Sequence, residues 1–247
     1  MEWRVVRGWV RAINWRVGEA ASVYFSAEIS CKLTLMASLA RHQCLIYSGS
    51  PAHHVSVLAA QTLKKLSENY RCFHLNSPTM IAGLRSSLAA LGMDVAAETA
   101  RGSLVVSSEQ HHLVNGRFDM DNMLKALEEA IDGALNDGYR GLWVSGDMSW
   151  EYGPQRDFKS LLEYEWRLEE LFKRRPALEG VCQYHGDTLP QEAMRDGLEA
   201  HTAIFVNETL SMVNPYYVKR PLFTHGAMTI TTLDSAIEDL CRLGSGD

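Results

Sequence analysis

The stretch from Arg140 to Gly153, RGLWVSGDMSWEYG, places a carboxylate directly after a short apolar segment. Residues 141–145 have the composition of a buried strand, and Asp147 follows at its end. In nucleotide-hydrolysing enzymes, a carboxylate in this position holds a magnesium ion together with the substrate phosphates. Asp147 is therefore a candidate site residue, and its chemistry depends on the residues near it.

The chain has no phosphate-binding loop to accompany Asp147. A P-loop needs G-x-x-x-x-G-K-[ST], and the segment SGSPAHH that begins at Ser48 lacks the second glycine and the lysine. A G-x-G-x-x-G fingerprint after a strand and a G-x-S-x-G nucleophile elbow are also absent. The sequence therefore disfavours nucleotide hydrolysis, dinucleotide binding and hydrolase chemistry, and we expect no enzymatic activity.

Strand-like and helical segments alternate from about residue 43, and this alternation predicts the fold class. Strands are predicted at 43–48, 70–75, 103–107, 141–145, 180–184 and 202–206, and helices at 55–69, 78–91, 119–135, 158–173 and 190–200. Helical crossovers between strands imply parallel pairing, so we expect an α/β fold with a doubly wound, mostly parallel sheet. Ligands of such sheets bind beyond the carboxyl ends of the strands.

The strand ends and the first strand supply the candidates for effector binding. Many of them are aromatic or sulfur-containing, and such side chains suit a small, polarisable ligand better than charged groups do. The candidates are His42, Cys44, Tyr47, Glu109, Asp147, Met148, Trp150, Glu163 and Tyr184. Tyr47, Met148, Trp150 and Tyr184 are equally compatible with ordinary core packing.

Neighbouring ionisable residues are poor chelating pairs. Glu163 and Glu165 are two positions apart on a predicted helix, about 200° around its axis, so only one of them can face a given site. The side chains of His53-His54 and of His111-His112 diverge, and we expect both pairs in solvent-exposed loops.

The five cysteines are scattered and include no C-x-x-C pair, so the sequence predicts neither a disulfide framework nor a structural zinc site. Alternation along the first strand puts His42 and Cys44 on one face, where a soft metal could use them with Cys182 or His201. A cysteine on a central strand is more often a buried apolar residue than a ligand. We therefore expect no metal and no cofactor.

Composition and charge limit the classes of protein to which this chain can belong. The chain is 46% hydrophobic and 22% charged, has no apolar run of about 18 residues and lacks the layout of a signal peptide, so we expect a cytoplasmic protein without membrane contact. Residues 1–42 carry +3, which leaves −9 for the remainder because the whole chain carries −6. A basic start on an acidic body is typical of a DNA-binding segment, although chance asymmetry explains the charge equally well.

The segment 1–40 contains a candidate helix-turn-helix. RVGEAASVY, which begins at Arg16, is similar to the first helix of a MerR-like motif, but the pattern fades beyond Phe25 because the turn lacks a glycine and the next helix has few polar side chains. A helical extension packed on the sheet, or an altered reading frame between Tyr24 and Ala40, would also explain the fading. The candidates for DNA binding are Arg16, Glu19, Ala20, Ala21, Ser26, Ser30 and Lys32.

A series of sequence blocks, taken together and in order, resembles one family. The blocks are HQCLIY from His42, NGRFD from Asn115, GYRGLWVSGDMSW from Gly138, LEYEWR from Leu162, VCQY from Val181 and NPYY from Asn214. They resemble the MEDS domain, the methanogen/methylotroph DcmR sensory domain, over roughly residues 40–220. The resemblance implies a RecA/KaiC-like core that has lost its phosphate loop, with Asp147 as an inherited carboxylate.

The same resemblance, extended over the whole chain, implies a transcriptional repressor of dichloromethane dehalogenase and of its own gene. Such a repressor binds operator DNA as a homodimer and is released by a small hydrocarbon or halocarbon effector such as dichloromethane. We expect a DNA-binding segment at 1–40, a sensory domain at 41–220 and a strand/helix extension at 221–247. Two alternatives remain open: an effector-binding adaptor that acts through a protein partner, and a P-loop-less ATPase relative that retains metal or nucleotide binding at Asp147 and Glu109.

Overall fold

The structure, a computed structural model, describes residues 41–50, 52–206 and 210–218. The predicted DNA-binding segment at 1–40 and the predicted extension at 221–247 lie outside the described residues. The helix-turn-helix, its candidate residues and the altered reading frame therefore stay predictions.

A seven-stranded sheet forms the centre of the described chain. Its strands are β1 His42–Tyr47, β2 Tyr70–Leu75, β3 Leu104–Ser107, β6 Gly141–Asp147, β7 Leu178–His185, β8 Ala203–Val206 and β9 Leu210–Val213, while β4 Leu113–Val114 and β5 Arg117–Phe118 pair separately. The order is β3-β2-β6-β7-β1-β8-β9, and every pairing is parallel except that of β8 with β9. The predicted α/β class with a doubly wound, mostly parallel sheet is confirmed.

Helices fill the crossovers between the parallel strands. They are α1 Ala52–Ser67, α2 Pro78–Ala90, α3 Val95–Ala100, α4 Met120–Asn136, α5 Met148–Glu151, α6 Leu161–Arg174 and α7 Gln191–Ala200. The helix predicted at 158–173 is divided, because Asp157 caps a separate 3₁₀ turn, Phe158–Ser160, before α6 begins. None of the helices in the described part of the chain is both long and apolar enough to cross a membrane.

Both faces of the sheet are covered, so each face has its own core. One core lies against α4, α6 and α7, and the other lies against α1 and α2. Every residue of β6 is buried, as expected for a central strand of a parallel sheet with helices on both sides. Side chains near the middle of the sheet are therefore removed from water on either face.

Gly197 in α7 is a close-packing position, whereas Gly83 in α2 is not. A Cβ at Gly197 would lie 2.6 Å from the ring of Tyr184, but one at Gly83 would meet Val55 at an ordinary 3.8 Å. We expect Gly197→Ala to lower the free energy of unfolding by about 1–3 kcal/mol through overpacking. Gly83→Ala should raise it by about 0.5–1 kcal/mol, since alanine loses less backbone entropy in a helix. Urea unfolding measures both changes, and shifts of the same sign would contradict the packing argument.

His74 on β2 is a buried neutral histidine that makes stability depend on pH. The hydroxyl of Thr62 donates to the Leu58 carbonyl, so it accepts from His74 Nε2 at 3.1 Å, and the Ser145 hydroxyl donates to Nδ1 at 2.7 Å. Burial lowers the pKa of His74 from 6.5 to about 3. Below pH 6.5 the unfolded chain takes up a proton that the folded chain does not, so stability is lost as the pH falls.

We expect this linkage to cost about 2 kcal/mol of unfolding free energy between pH 7 and pH 5, at about 1.4 kcal/mol per pH unit below 6.5. His74→Gln cannot titrate, so its stability should fall by that much less over the same interval. Urea unfolding at the two pH values measures the difference. Parallel losses in the wild type and the variant would show that folding does not lower the pKa of His74.

Candidate functional site: a buried polar cluster and an adjoining cavity

Asp147 ends β6 and caps the short helix α5. Its Oδ1 accepts the backbone N–H of Trp150 at 3.0 Å, and its Oδ2 accepts the hydroxyl of Tyr47 at 3.1 Å. The residue is 5% exposed, and burial raises the pKa of its carboxyl. Contacts within the domain thus engage both oxygens of the strand-end carboxylate.

Tyr47 belongs to a stack of aromatic rings at this end of the sheet. Its ring lies 3.5 Å from the ring of His54 and 4.7 Å from the ring of His185, measured between centroids. Met148 is fully buried nearby, and Trp150 is half-buried. Of the predicted effector-binding residues, Tyr47 and Asp147 are in contact at the ends of β1 and β6, whereas Met148 and Trp150 pack with the core on the other face of the sheet.

The prediction of solvent-exposed histidine pairs is wrong for His54 and His112. His54 is buried because α1 begins at Ala52, earlier than predicted, and includes this residue in its first turn. His112 is buried and its Nε2 donates to the backbone carbonyl of Glu151 at 2.8 Å. His111, in contrast, is exposed and pairs at 2.7 Å with Glu109. Glu109 is itself exposed and does not join the Asp147 group.

A second group of polar side chains lies inside the core, between β1, β7, α6 and α7. Its members, here called the buried cluster, are His42, Glu165, Cys182 and His201, and each is at most 5% exposed. One nitrogen, oxygen or sulfur atom from each residue lies within 4.8 Å of those of the other three. These are metal-ligating residue types, so within the described chain this group could hold a metal ion.

Glu165 is the centre of the buried cluster. Its Oε2 lies 3.3 Å from His42 Nε2, 3.5 Å from His201 Nε2 and 3.7 Å from Cys182 Sγ. Its other oxygen, Oε1, accepts the hydroxyl of Tyr184. These four neighbours lie on β1, on β7 and at the end of α7, which meet at Glu165 because β1 and β7 pair in the sheet and α6 and α7 cover the same face.

The charges of the buried cluster compensate one another. Burial opposes the charged form of His42, but hydrogen bonds and attraction from Glu165 and Glu169 outweigh it and raise the pKa of His42 to about 9. Burial likewise opposes ionisation of Glu165, yet His201 and His42 lower the pKa of its carboxyl. Burial lowers the pKa of His201 to about 4 and raises that of the Cys182 thiol. At neutral pH an imidazolium therefore lies beside carboxylates, a neutral imidazole and a thiol.

A small cavity adjoins the buried cluster on the same face of the sheet. Its volume is about 20 Å³, which is room for one molecule of about the size of water. The lining is almost entirely apolar and consists of Leu75, Met123, Leu127, Val144, Gly146, Glu151, Tyr164, Leu168, Phe172, Val181 and Cys182. Because Cys182 belongs to both, the cavity and the buried cluster are in direct contact.

Glu151 supplies the cavity with a buried carboxyl group. Burial, followed by repulsion from Glu165 and Asp147, raises its pKa well above the usual range. The Tyr164 hydroxyl lies 3.5 Å from Glu151 Oε2. A Cβ at Gly146 would collide with the Glu151 carboxyl, which explains why a glycine precedes Asp147. The cavity therefore combines a mostly apolar lining with one buried carboxyl group.

The remaining predicted residues differ in whether they contact the buried cluster. His42 belongs to the buried cluster, Tyr184 contacts it, and Cys44 is buried on β1, opposite Cys182 in the register. Glu163 is half-buried on α6 and lies outside the buried cluster.

Glu165 and Glu151 are the residues that the sequence reasoning missed. For Glu165 a signal existed: the buried stripe of α6 is Leu161, Tyr164, Glu165, Leu168, Leu171 and Phe172. Glu165 falls within that helical spacing and Glu163 does not, so the periodicity favours Glu165 as the inward acid. Glu151 lies in a helix of a single turn, where periodicity gives no such signal.

Solved structures similar to this chain come from a hyperthermophilic archaeon, Pyrococcus horikoshii. A KaiC-like protein is 13% identical over 68% of this chain and 71% of that one, with a TM-score of 0.45. An uncharacterized protein, solved in complex with an unknown peptide, is 14% identical over 68% of this chain and 77% of that one, with a TM-score of 0.51. At this identity the second likeness shows a shared fold and nothing further.

Sequence comparison identifies the family of the α/β domain. No curated protein matches the chain. Residues 41–202 match the family model described as MEDS, the MEthanogen/methylotroph, DcmR Sensory domain, and this match spans more than half of the chain. It contains the buried cluster and all the residues that line the cavity. The chain therefore belongs to the MEDS family of sensory domains.

Proposed function

We propose that this protein is an effector-responsive repressor of transcription. In this proposal the MEDS domain binds a small hydrocarbon derivative in its core, and the N-terminal segment binds operator DNA as a homodimer. Effector binding lowers the population of the form that binds DNA. The whole-chain resemblance to DcmR supports dichloromethane dehalogenase and the protein's own gene as the targets, with dichloromethane as a candidate effector.

The observation that carries the sensing part is the apolar cavity at Glu151 and Cys182. Aliphatic, aromatic and sulfur atoms form most of its lining, and burial raises the pKa of its one carboxyl group well above the usual range. A lining of this composition suits an apolar ligand better than a charged one. Dichloromethane has three heavy atoms and is larger than water, so the cavity must widen. Met123 in the lining is unbranched and flexible, and can move to accommodate the ligand.

The proposed affinity is modest. The best small ligands gain at most about −1.5 kcal/mol per heavy atom, which gives about −4.5 kcal/mol for dichloromethane and a Kd near millimolar. Such an affinity suits a protein that responds to an abundant growth substrate. Tighter binding would require additional contacts or a larger ligand.

Fluorescence anisotropy with labelled DNA from upstream of the dehalogenase gene and of the protein's own gene tests the proposal. We expect selective binding with a steep salt dependence, weakened by millimolar dichloromethane. Selective DNA binding that dichloromethane does not weaken would mean that another compound is the effector. The absence of selective binding at every salt concentration would overturn the repressor and favour the adaptor that acts through a protein partner.

The proposal assigns no catalytic step to Asp147. Tyr47 and the α5 backbone engage this carboxylate, and Glu109 is exposed and paired with His111. A titration with ATP and with GTP in the presence of Mg²⁺ tests the rival ATPase-relative function. Saturable binding that is lost in Asp147→Asn would favour that rival.

A further inference from the structure

We propose that the buried cluster, His42, Glu165, Cys182 and His201, is a binding site for one divalent cation of the zinc class. The ligand atoms are His42 Nε2, Glu165 Oε2, Cys182 Sγ and His201 Nε2. This site goes beyond the sensing function proposed above, because it needs neither the effector nor DNA. It also differs from the expectation of a metal-free protein, which came from the sequence.

Four of the six distances within the buried cluster are close to the edges of a metal tetrahedron. With metal–nitrogen and metal–oxygen bonds of about 2.0–2.2 Å and a metal–sulfur bond of about 2.3 Å, tetrahedral ligand atoms lie about 3.3–3.6 Å apart. Glu165 Oε2 lies 3.3 Å from His42 Nε2, 3.5 Å from His201 Nε2 and 3.7 Å from Cys182 Sγ. His42 Nε2 lies 3.4 Å from Cys182 Sγ. All four ligand atoms lie within 4.8 Å of one another, so small side-chain shifts would place them around a small cation.

The outer atoms of three ligands are held by other groups, as is usual around protein-bound metals. His42 Nδ1 lies 3.1 Å from the Glu169 carboxylate, and His201 Nδ1 donates to the Gly197 carbonyl at 2.7 Å. Tyr184 donates to the outer oxygen of Glu165. Each contact leaves the inner atom, Nε2 or Oε2, directed into the buried cluster.

His201 distinguishes a metal site from a simple buried ion pair. Because Nδ1 donates its proton to a carbonyl, the tautomer assigned from this bond leaves a lone pair on Nε2. Nε2 is fully buried and has no hydrogen-bond partner among the described residues, and it faces the Glu165 carboxylate at 3.5 Å. Two acceptors directed at each other are unfavourable without a cation between them. An imidazolium at His42 with Glu165 and Glu169 explains those three residues but not His201.

The ligand set selects the kind of metal. Two imidazoles, one thiolate and one carboxylate suit Zn²⁺ and, in the same geometry, Co²⁺, rather than Mg²⁺ or Ca²⁺, which prefer oxygen. Metal binding must release two protons to solvent, one from His42 Nε2, which is part of an imidazolium at neutral pH, and one from the Cys182 thiol. Four protein ligands fill the tetrahedron, so the site would join β1, α6, β7 and the end of α7 rather than activate a water molecule.

Cobalt titration of the chelator-treated full-length protein tests the site. We expect one equivalent of Co²⁺ to produce the visible absorption of tetrahedral cobalt together with an ultraviolet sulfur-to-cobalt charge-transfer band, and Zn²⁺ to displace it. Cys182→Ser should remove the charge-transfer band and weaken binding by more than about 100-fold, since even outer contacts are worth about 10–100-fold. Cys72→Ser is the matched control, because Cys72 is a buried thiol in the other core, and should leave the spectrum unchanged.

A wild-type protein that takes up no Co²⁺ or Zn²⁺ would overturn the site, and so would Cys182→Ser and Cys72→Ser proteins with the same spectrum. Circular dichroism shows whether each variant is folded. If the Cys182→Ser protein is not folded, the Glu169→Gln variant tests the metal site instead. It keeps every ligand and alters the contact to His42 Nδ1, so it should retain the charge-transfer band and weaken binding about 10–100-fold. Unchanged affinity in Glu169→Gln would contradict the proposed arrangement.

Discussion

Replacing Glu165 by glutamine should lower the free energy of unfolding of the metal-free protein by about 3–5 kcal/mol. Glu165 is fully buried and its carboxylate contacts His42 at 3.3 Å. Glutamine keeps the shape of the side chain but removes the charge that stabilises the buried imidazolium. Breaking a buried ion pair by removing one partner has a cost of this order, because the other charge is left without full compensation.

Glu163→Gln is the matched control for Glu165→Gln. It is the same substitution two residues away on the same helix, at a half-buried position where water still reaches the side chain. We expect a change within about 0.5 kcal/mol, as for most surface substitutions. Urea unfolding at pH 7 with a chelator present measures the electrostatic contribution without the metal. Equal losses in the two variants would show that the buried cluster does not contribute to stability as described.

Replacing Leu127 by phenylalanine should abolish the response to the effector. Leu127 projects from α4 into the lining of the cavity, and the larger ring occupies the space that the ligand needs. The apparent affinity for dichloromethane should fall at least about tenfold, which corresponds to about 1.4 kcal/mol of the estimated −4.5 kcal/mol. Operator binding itself should persist, because α4 is far in sequence from the segment assigned to DNA.

Leu135→Phe on the same helix is the control for Leu127→Phe. Leu135 is 41% exposed and lies outside the cavity, so the additional ring atoms meet solvent. Anisotropy of labelled operator DNA at increasing dichloromethane concentration measures both variants beside the wild type. A Leu127→Phe protein that releases DNA at the wild-type dichloromethane concentration would place the effector elsewhere, with the Tyr47 and Asp147 group as the next candidate.

The sheet was predictable because its strands are short apolar segments between amphipathic helices. Residues 70–75 were predicted as a strand and form β2 with those bounds, and Ser77 caps α2 as expected, accepting the Met80 N–H. The helices α3 and α5 were not predicted because four to six residues cannot show a helical period, and the strands β4, β5 and β9, of two to four residues, were also not predicted.

The site was only partly predictable, for a physical reason. Alternation along β1 predicted that His42 and Cys44 share one face, with Cys182 or His201 as further metal ligands. No sequence pattern showed that Glu165 reaches them. That convergence depends on the pairing of β1 with β7 and on the packing of α6 and α7, which are long-range contacts. The raised pKa of Glu151 likewise follows from burial, and no local sequence pattern indicates it.

The cavity and the buried cluster have one residue in common. Cys182 lines the cavity and also contacts His42 and Glu165. A ligand that displaces Cys182 would therefore change distances within the buried cluster, and the state of the cluster would change the shape of the cavity.

Direct observation of dichloromethane in the cavity tests the central claim. In protein carrying ¹³C-methyl methionine, the Met123 resonance should shift in a saturable way with a Kd near millimolar, because its side chain lines the cavity. The Met80 resonance, from the core on the opposite face of the sheet, should stay unchanged. A Met123 resonance that does not move, or that drifts without saturation together with Met80, would contradict a sensory site in this cavity.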